Sequence, residues 1–187
     1  MIIEDFSKRI TKKMKSLNPD NTGTVKDMAT GLVIIINGLI IIFIVVITGI
    51  LSDLLLQSLL AIFSFILLRF FSGGYHVKSS LFCSVISSLI LISIPYIQID
   101  NQYLLALTVF TFVIILLFAP SQMEDNVTLA KKYYLKFKMI SLLIVSSNFL
   151  LQSELLAITF LIQCFLVIFH PDIISKIKGL IIRKGGD

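Results

Sequence analysis

The sequence predicts an all-α integral membrane protein with about six transmembrane helices, an N-terminal interfacial amphipathic helix and both termini in the cytoplasm. Of the 187 residues, 57% are hydrophobic and 14% are charged, whereas soluble domains average about 25% charged residues. The apolar residues fall into six runs, and Lys and Arg occupy only alternate connections between them. Spans of about 20 residues each leave no room for a soluble domain, so residues 1–187 are expected to form a single membrane domain.

Residues 1–29 are expected to form a cytoplasmic amphipathic helix and a linker. Apolar side chains recur there every three or four residues, at Ile3, Phe6, Ile10, Met14 and Leu17, and basic side chains fill the remaining surface. This period is typical of a helix that lies in the membrane interface. The helix could anchor the chain on anionic lipid headgroups or form a docking surface for a partner peptide, and the sequence leaves both roles open.

Residues 30–170 contain the six predicted spans. They are centred on Thr30–Leu51, Leu54–Leu68, Leu81–Ile97, Tyr103–Ala119, Met139–Leu151 and Leu155–Phe169. A helix of about 15 residues is only ~22 Å long, against ~30 Å of hydrocarbon, so flanking residues must lengthen the shorter spans. Residues 171–187 follow as a basic cytoplasmic tail.

The distribution of charge predicts the topology. Basic residues lie before the first span, between the second and third, between the fourth and fifth, and after the sixth, while the other connections carry Asp53, Asp100 and Glu154. By the positive-inside rule the basic connections face the cytoplasm, and residues 69–83 face it with them. We expect these connections to contact anionic lipid headgroups, with no nucleic-acid partner.

Residues 69–83 carry the candidate chemistry, because Gly73, Gly74, His76 and Cys83 all lie there. A thiol needs a base or a positive field to become a nucleophile, and His76 is the nearby side chain that takes a proton near neutral pH. A spacing of seven on one unbroken helix would separate the pair by ~10.5 Å along the axis, too far for proton transfer. The paired glycines predict a break, and a new helix capped by Ser80 would place Cys83 in a first turn that favours an anion.

Each of these side chains also has a structural interpretation that stays open. Cys83 would fill space in a membrane helix, His76 would be an interfacial polar residue, and Arg69 would mark the end of the second span. As a functional residue, Arg69 could bind a carboxylate or stabilise an acyl oxygen.

Cys164 and His170, six residues apart, lie on opposite faces of a helix, and packing and helix termination explain them. The cysteine spacing predicts neither a disulfide nor a metal site.

The intervals from Arg69 to Gly74, His76 and Cys83 resemble the signature of the accessory gene regulator B family, the membrane peptidases that mature quorum-sensing peptides in Gram-positive bacteria. The Ala-Pro pair that closes the fourth span, Ala119–Pro120, is similar as well. The resemblance implies that Cys83 is the nucleophile and His76 its base, and Arg69, Gly73 and Gly74 would support them.

The resemblance further implies a thiol protease of the bacterial cell membrane that cuts a small amphipathic precursor peptide near its C-terminus. The N-terminal part would stay on the enzyme as a thioester until a cysteine or serine of the precursor closes a thiolactone or lactone ring. Such an exchange needs no ATP, and no cofactor is expected.

Candidate contacts to the precursor lie in the connection after the fourth span, at Glu124, Asp125, Lys131 and Lys132. Family members often carry lysine and proline early in this connection, whereas residues 121–126 of the present chain include neither. The acidic residues at the other membrane surface are poor candidates for a third catalytic residue, whereas Glu124 and Asp125 lie on the same predicted side as His76. A Cys-His dyad without an orienting acid is the expectation.

Two interpretations without catalysis stay open. One is a small multispan transporter, for which charges deep inside a span are the usual sign; the charges of this chain lie at the predicted edges. The other is a membrane scaffold or sensor. The short spans, rich in Ser and Gly, are compatible with a homodimer, and the same small residues could equally serve packing within one chain.

Overall fold

A computed structural model describes residues 2–19, 23–74, 80–121 and 133–169. Within these ranges all regular structure is helical and there is no strand, which confirms the all-α prediction. The helices are α1 Ile2–Leu17, α2 Val25–Leu51, α3 Leu55–Ser72, α4 Ser80–Ser93, α5 Asn101–Phe118, α6 Tyr134–Leu151 and α7 Glu154–Ile168, and a 3₁₀ turn, Ile94–Tyr96, follows α4.

Four of these helices, α2, α3, α5 and α6, are long and apolar enough to cross a membrane. Two shorter apolar helices, Leu81–Tyr96 and Glu154–Ile168, coincide with the third and sixth predicted spans. Each of the six apolar runs therefore corresponds to a helix, and length and composition alone qualify four of them as spans.

The helix ends differ from the predicted ones where polar residues extend an apolar run. α2 begins at Val25 rather than Thr30, because the Thr24 hydroxyl caps it and accepts a hydrogen bond from the Asp27 N–H at 3.1 Å. α6 begins at Tyr134 rather than Met139, and its 18 residues make it ~27 Å long. Flanking residues thus lengthen the short spans, as the sequence predicts.

The core is centred on α3 and α7, which contribute to two separate clusters of buried apolar side chains. The first cluster joins α3 and α7 to α5 and α6, through Leu68, Ile115, Ala119, Val145, Leu156, Phe160 and Val167. The second joins them to α2 and α4, through Val45, Ala61, Ile62, Phe65, Leu91, Ile94 and Ile158. α3 and α7 are therefore covered on both sides, and many large apolar side chains of the outer helices are exposed, as expected of a surface that faces lipid.

α1 is present as predicted, but its contact face differs from its apolar stripe. Ser7 and Thr11 are buried, whereas Phe6, Met14 and Leu17 are exposed. α1 packs mainly against α2, and small side chains such as these two allow two helices to approach closely. Within the apolar stripe Ile3 is buried and Ile10 half-buried, so its exposed part is Phe6, Met14 and Leu17.

A buried amide joins three helices at the end of the bundle that carries the short connections. The Asn148 Nδ2 donates to the Thr108 hydroxyl at 3.1 Å, and its Oδ1 accepts from the Ser153 N–H at 3.0 Å. α5, α6 and the start of α7 are thereby fixed to one another. The candidate site lies at the opposite end.

Candidate active site

The site is built around the end of α3. The helix ends at Ser72, and the next two residues have positive φ, 70° at Gly73 and 137° at Gly74. The Gly73 N–H still bonds to the Arg69 carbonyl at 3.0 Å, as the last backbone hydrogen bond of the helix. The predicted helix break is therefore present, and glycine is the residue that adopts both conformations at low cost.

Both glycines also lie where a side chain would not fit. A Cβ on Gly73 would stand 2.6 Å from the Ser121 carbonyl oxygen, and a Cβ on Gly74 would stand 3.2 Å from the Arg69 Nη1. Gly73 thus permits a close backbone approach, and Gly74 leaves room for the guanidinium.

The end of α3 is joined to the segment that follows α5. The N–H and the hydroxyl of Ser121 both donate to the Ser72 carbonyl, at 3.0 Å and 3.3 Å. Both serines are buried. These bonds hold the beginning of the connection after α5 against the helix break.

The guanidinium of Arg69 turns back into the bundle. Its Nη1 donates to the Gln163 Oε1 at 3.3 Å, and its Cζ lies 5.7 Å from the centre of the Phe65 ring. Gln163 is fully buried in α7. Its Nε2 donates to the Ser72 hydroxyl at 2.9 Å and to the Gly73 carbonyl at 2.6 Å.

Cys83 lies on α4, three residues after Ser80, the first residue described in that helix. It is a free, half-buried thiol. Cys83 and Arg69 line one small cavity of about 40 Å³, enclosed by α3, α4 and α7. The other lining residues are Phe65, Ile86, Ser87, Ile90, Ile162 and Leu166.

This cavity places a thiol and a guanidinium in mostly apolar surroundings. A cavity of this size holds a water molecule or a small group of a larger ligand. Its lining is mostly apolar, so a charge inside it acts through a lower dielectric than in water. A guanidinium there can stabilise negative charge that develops on a neighbouring group such as an acyl oxygen.

The structure thus brings together four of the residues singled out in the sequence, namely Arg69, Gly73, Gly74 and Cys83. His76 and the four candidate contact residues, Glu124, Asp125, Lys131 and Lys132, lie outside the described residues, as does His170. Cys164 is fully buried in α7 and free, and it does not line the cavity.

Sequence reasoning missed Gln163, together with Ser72 and Ser121. The available signal was an amide in the middle of an otherwise apolar helix, since a buried polar side chain needs hydrogen-bond partners. No pattern in the sequence relates Gln163 to Arg69, because they are 94 positions apart.

Comparison with known proteins identifies the family of the chain. The family model described as accessory gene regulator B matches residues 4–175. The accessory gene regulator protein B of Staphylococcus aureus (strain bovine RF122 / ET3-1) is 30% identical over 75% of this chain and 82% of its own length.

A protein of Clostridium perfringens named as AgrB-like is 29% identical over 78% of this chain and 73% of its own length. No solved structure matches the chain. The family match covers all four helices that qualify as spans and the whole candidate site. The chain therefore belongs to the accessory gene regulator B family.

Proposed function

We propose that this protein is a membrane cysteine endopeptidase that cuts a small amphipathic precursor peptide and releases it as a cyclic quorum-sensing signal. Its family acts in accessory gene regulator quorum sensing together with an autoinducer precursor peptide. The observation that carries the proposal is the cavity shared by Cys83 and Arg69. These two residues come from different helices, so their meeting is a property of the fold.

In the proposed first step, the Cys83 thiolate attacks the carbonyl carbon of the scissile peptide bond. The new C–S bond forms as the C–N bond breaks, and His76, having taken the proton of the thiol, gives it to the leaving amine. The C-terminal fragment departs with a free amino group. The N-terminal part of the precursor stays attached to Cys83 as a thioester.

In the proposed second step, a cysteine or serine of the precursor attacks the thioester carbonyl. Its proton passes to His76, and the Cys83 thiolate leaves, so the ring closes as a thiolactone or a lactone. Holding this nucleophile beside the thioester raises its effective concentration by orders of magnitude. An apolar cavity limits access of water, which would otherwise hydrolyse the thioester.

The position of His76 in the chain is compatible with this role. Gly74 lies against Arg69 at the cavity, and His76 follows two residues later. Two residues of extended chain reach at most ~7 Å. The helix break at Gly73 and Gly74 removes the geometric obstacle that one unbroken helix would impose.

The remaining parts of the proposal concern partners and location. We place Glu124, Asp125, Lys131 and Lys132 among the contacts to the precursor. The exposed part of the apolar stripe of α1, flanked by lysines, supports anchoring on anionic lipid at the bacterial cell membrane. The proposal also includes a homodimer, which is supported only by the short spans rich in Ser and Gly.

The test is to express each variant with its cognate precursor and to identify the products by mass spectrometry. Cys83→Ala and His76→Ala are expected to insert normally and to yield neither the cyclic peptide nor the released C-terminal fragment. Cys164→Ala is the matched control, because its thiol is buried away from the cavity, and it should process the precursor within about twofold of the wild type. Normal processing by Cys83→Ala would exclude the mechanism and favour a transporter or a scaffold.

A further inference from the structure

Gln163 is fully buried in α7, a mostly apolar helix, so packing alone would be satisfied by an apolar side chain at this position. We propose that Gln163 is a positioning residue, which acts through Arg69 to hold the guanidinium beside the Cys83 thiol. This inference rests on the proposed function for its catalytic consequence. It also makes a prediction about the thiol that needs no precursor peptide.

The orientation of the amide follows from its partners. A guanidinium only donates hydrogen bonds and a backbone carbonyl only accepts them. The amide oxygen must therefore face Arg69, and the amide nitrogen must face the Gly73 carbonyl and the Ser72 hydroxyl. Both hydrogens of the Nε2 are used in these bonds. The end of α3 therefore orients the amide independently of its bond to the guanidinium.

The guanidinium is confined from three sides. The Gln163 Oε1 accepts from it, the Phe65 ring lies 5.7 Å from its Cζ, and Gly74 lies next to Nη1, which a Cβ added to Gly74 would approach to 3.2 Å. A long side chain such as arginine otherwise retains considerable rotamer freedom. These contacts restrict Arg69 to the conformation in which it lines the cavity.

A neutral acceptor suits this task better than a carboxylate. A glutamate at position 163 would add a negative charge beside the guanidinium and weaken its field at the thiol, whereas the amide orients the group without adding a charge. A carboxylate would also place an oxygen, which cannot donate a hydrogen bond, next to the Gly73 carbonyl oxygen that now accepts one from the amide nitrogen. The structure thus gives a physical reason for glutamine at this position.

The experiment measures how fast iodoacetamide alkylates Cys83 in the full-length protein in lipid nanodiscs, with Cys164→Ala as the parent. Gln163→Met keeps the length of the side chain and removes every hydrogen bond, and Gln163→Glu keeps an acceptor for Arg69 but cancels its charge. Both variants should be alkylated about three- to tenfold more slowly than the parent, because a displaced or neutralised guanidinium no longer stabilises negative charge on the reacting sulfur. Gln163→Glu also serves if Gln163→Met fails to fold.

Thr159→Val is the matched control. Thr159 is buried one turn earlier on α7, and its hydroxyl donates to the Leu155 carbonyl of its own helix at 2.7 Å. Its loss removes a buried polar group without touching Arg69, so the alkylation rate should stay within about twofold of the parent.

A double variant distinguishes an effect on the position of Arg69 from a general loss of packing around the cavity. If Gln163 acts through Arg69, then Gln163→Met should slow alkylation by less than about twofold in a chain that already carries Arg69→Met. An unchanged rate in the folded single variants, or effects that multiply in the double variant, would overturn the inference.

Processing of the cognate precursor supplies the second readout. The kcat of Gln163→Met should fall about tenfold, the size expected for loss of one hydrogen bond to a charged group, while KM changes less than about threefold. If Cys83→Ala is inactive but both Gln163 variants have wild-type kcat and alkylation rates, this inference alone fails. If Cys83→Ala processes normally, the proposed function fails, and the alkylation result still decides the role of Gln163.

Discussion

Gly73 and Gly74 both have positive φ, yet they meet different needs. The absent side chain of Gly73 lets the Ser121 backbone reach the end of α3, and the absent side chain of Gly74 leaves space for Arg69 and Gln163. One glycine therefore joins two segments of backbone, and the other preserves the geometry of the cavity. Substitutions at the two positions should have different consequences.

Gly73→Ala is expected to reduce stability, because its Cβ would stand 2.6 Å from the Ser121 carbonyl and the positive φ adds strain of about 1–3 kcal/mol. Gly74→Ala carries strain from a positive φ as well, and it should in addition lose processing activity, since its Cβ would stand 3.2 Å from the guanidinium Nη1. Thermal unfolding in detergent and the processing assay together measure the two effects.

Gly31→Ala is the control for both substitutions. Gly31 lies in α2, where an added Cβ would meet nothing within 4 Å, and alanine favours a helix over glycine by up to about 1 kcal/mol. Its midpoint of unfolding should stay the same or rise. Equal activity in Gly74→Ala and Gly31→Ala would contradict the role given to Gly74.

At the scale of the helices, α2 and α3 form a closely packed hairpin around one glycine. A Cβ on Gly49 would stand 2.9 Å from the Ser58 Oγ and 3.2 Å from the Leu55 Cα. Ser58 is itself buried. Without a hydrophobic driving force inside lipid, small residues of this kind set how closely two helices approach.

Gly49→Ala should therefore destabilise the protein by about 1–3 kcal/mol, the usual cost of overpacking. Gly38→Ala is the matched control in the same helix, because a Cβ there meets nothing within 4 Å. Thermal unfolding of the two variants in the same detergent measures the difference. A lower midpoint for Gly38→Ala than for Gly49→Ala would show that the close approach is not what stabilises the hairpin.

The helices were predictable from the sequence to different degrees. Hydropathy located all six apolar helices, and the periodicity of Ile3, Phe6 and Met14 located α1. The ends were less accurate, since Thr24 extends α2 through a cap that hydropathy does not register. The face by which α1 packs was missed, because Ser7 and Thr11 are small polar residues whose burial depends on how closely α2 approaches.

The candidate site was predictable only in part, and for a physical reason. The break at Gly73 is local, so the sequence around it sufficed. The bonds from Gln163 and Ser121 to the end of α3 join residues far apart in the chain. Such contacts follow from the way α5 and α7 pack against α3, and no local pattern encodes them.

At the scale of the whole molecule, two groups of side-chain hydrogen bonds between different helices lie at opposite ends of the described bundle. One end is fixed by the amide of Asn148, next to the short connections. The other end carries Arg69, the helix break and the Cys83 cavity. The candidate site and the contacts of Asn148 thus lie at opposite ends of the helices, and under the proposed function the orientation of the protein decides from which side of the membrane the precursor approaches.

Cysteine accessibility in intact cells tests that orientation, in a chain that carries Cys83→Ala and Cys164→Ala. By the positive-inside rule, a membrane-impermeant maleimide should label Asp100→Cys from outside. Ser16→Cys, at the exposed end of α1, and Lys78→Cys, four positions after Gly74 in the sequence, should react only after the cells are permeabilised. Outside labelling of Lys78→Cys with protection of Asp100→Cys would reverse the topology, and the thiol would then meet only precursor that has already crossed the membrane.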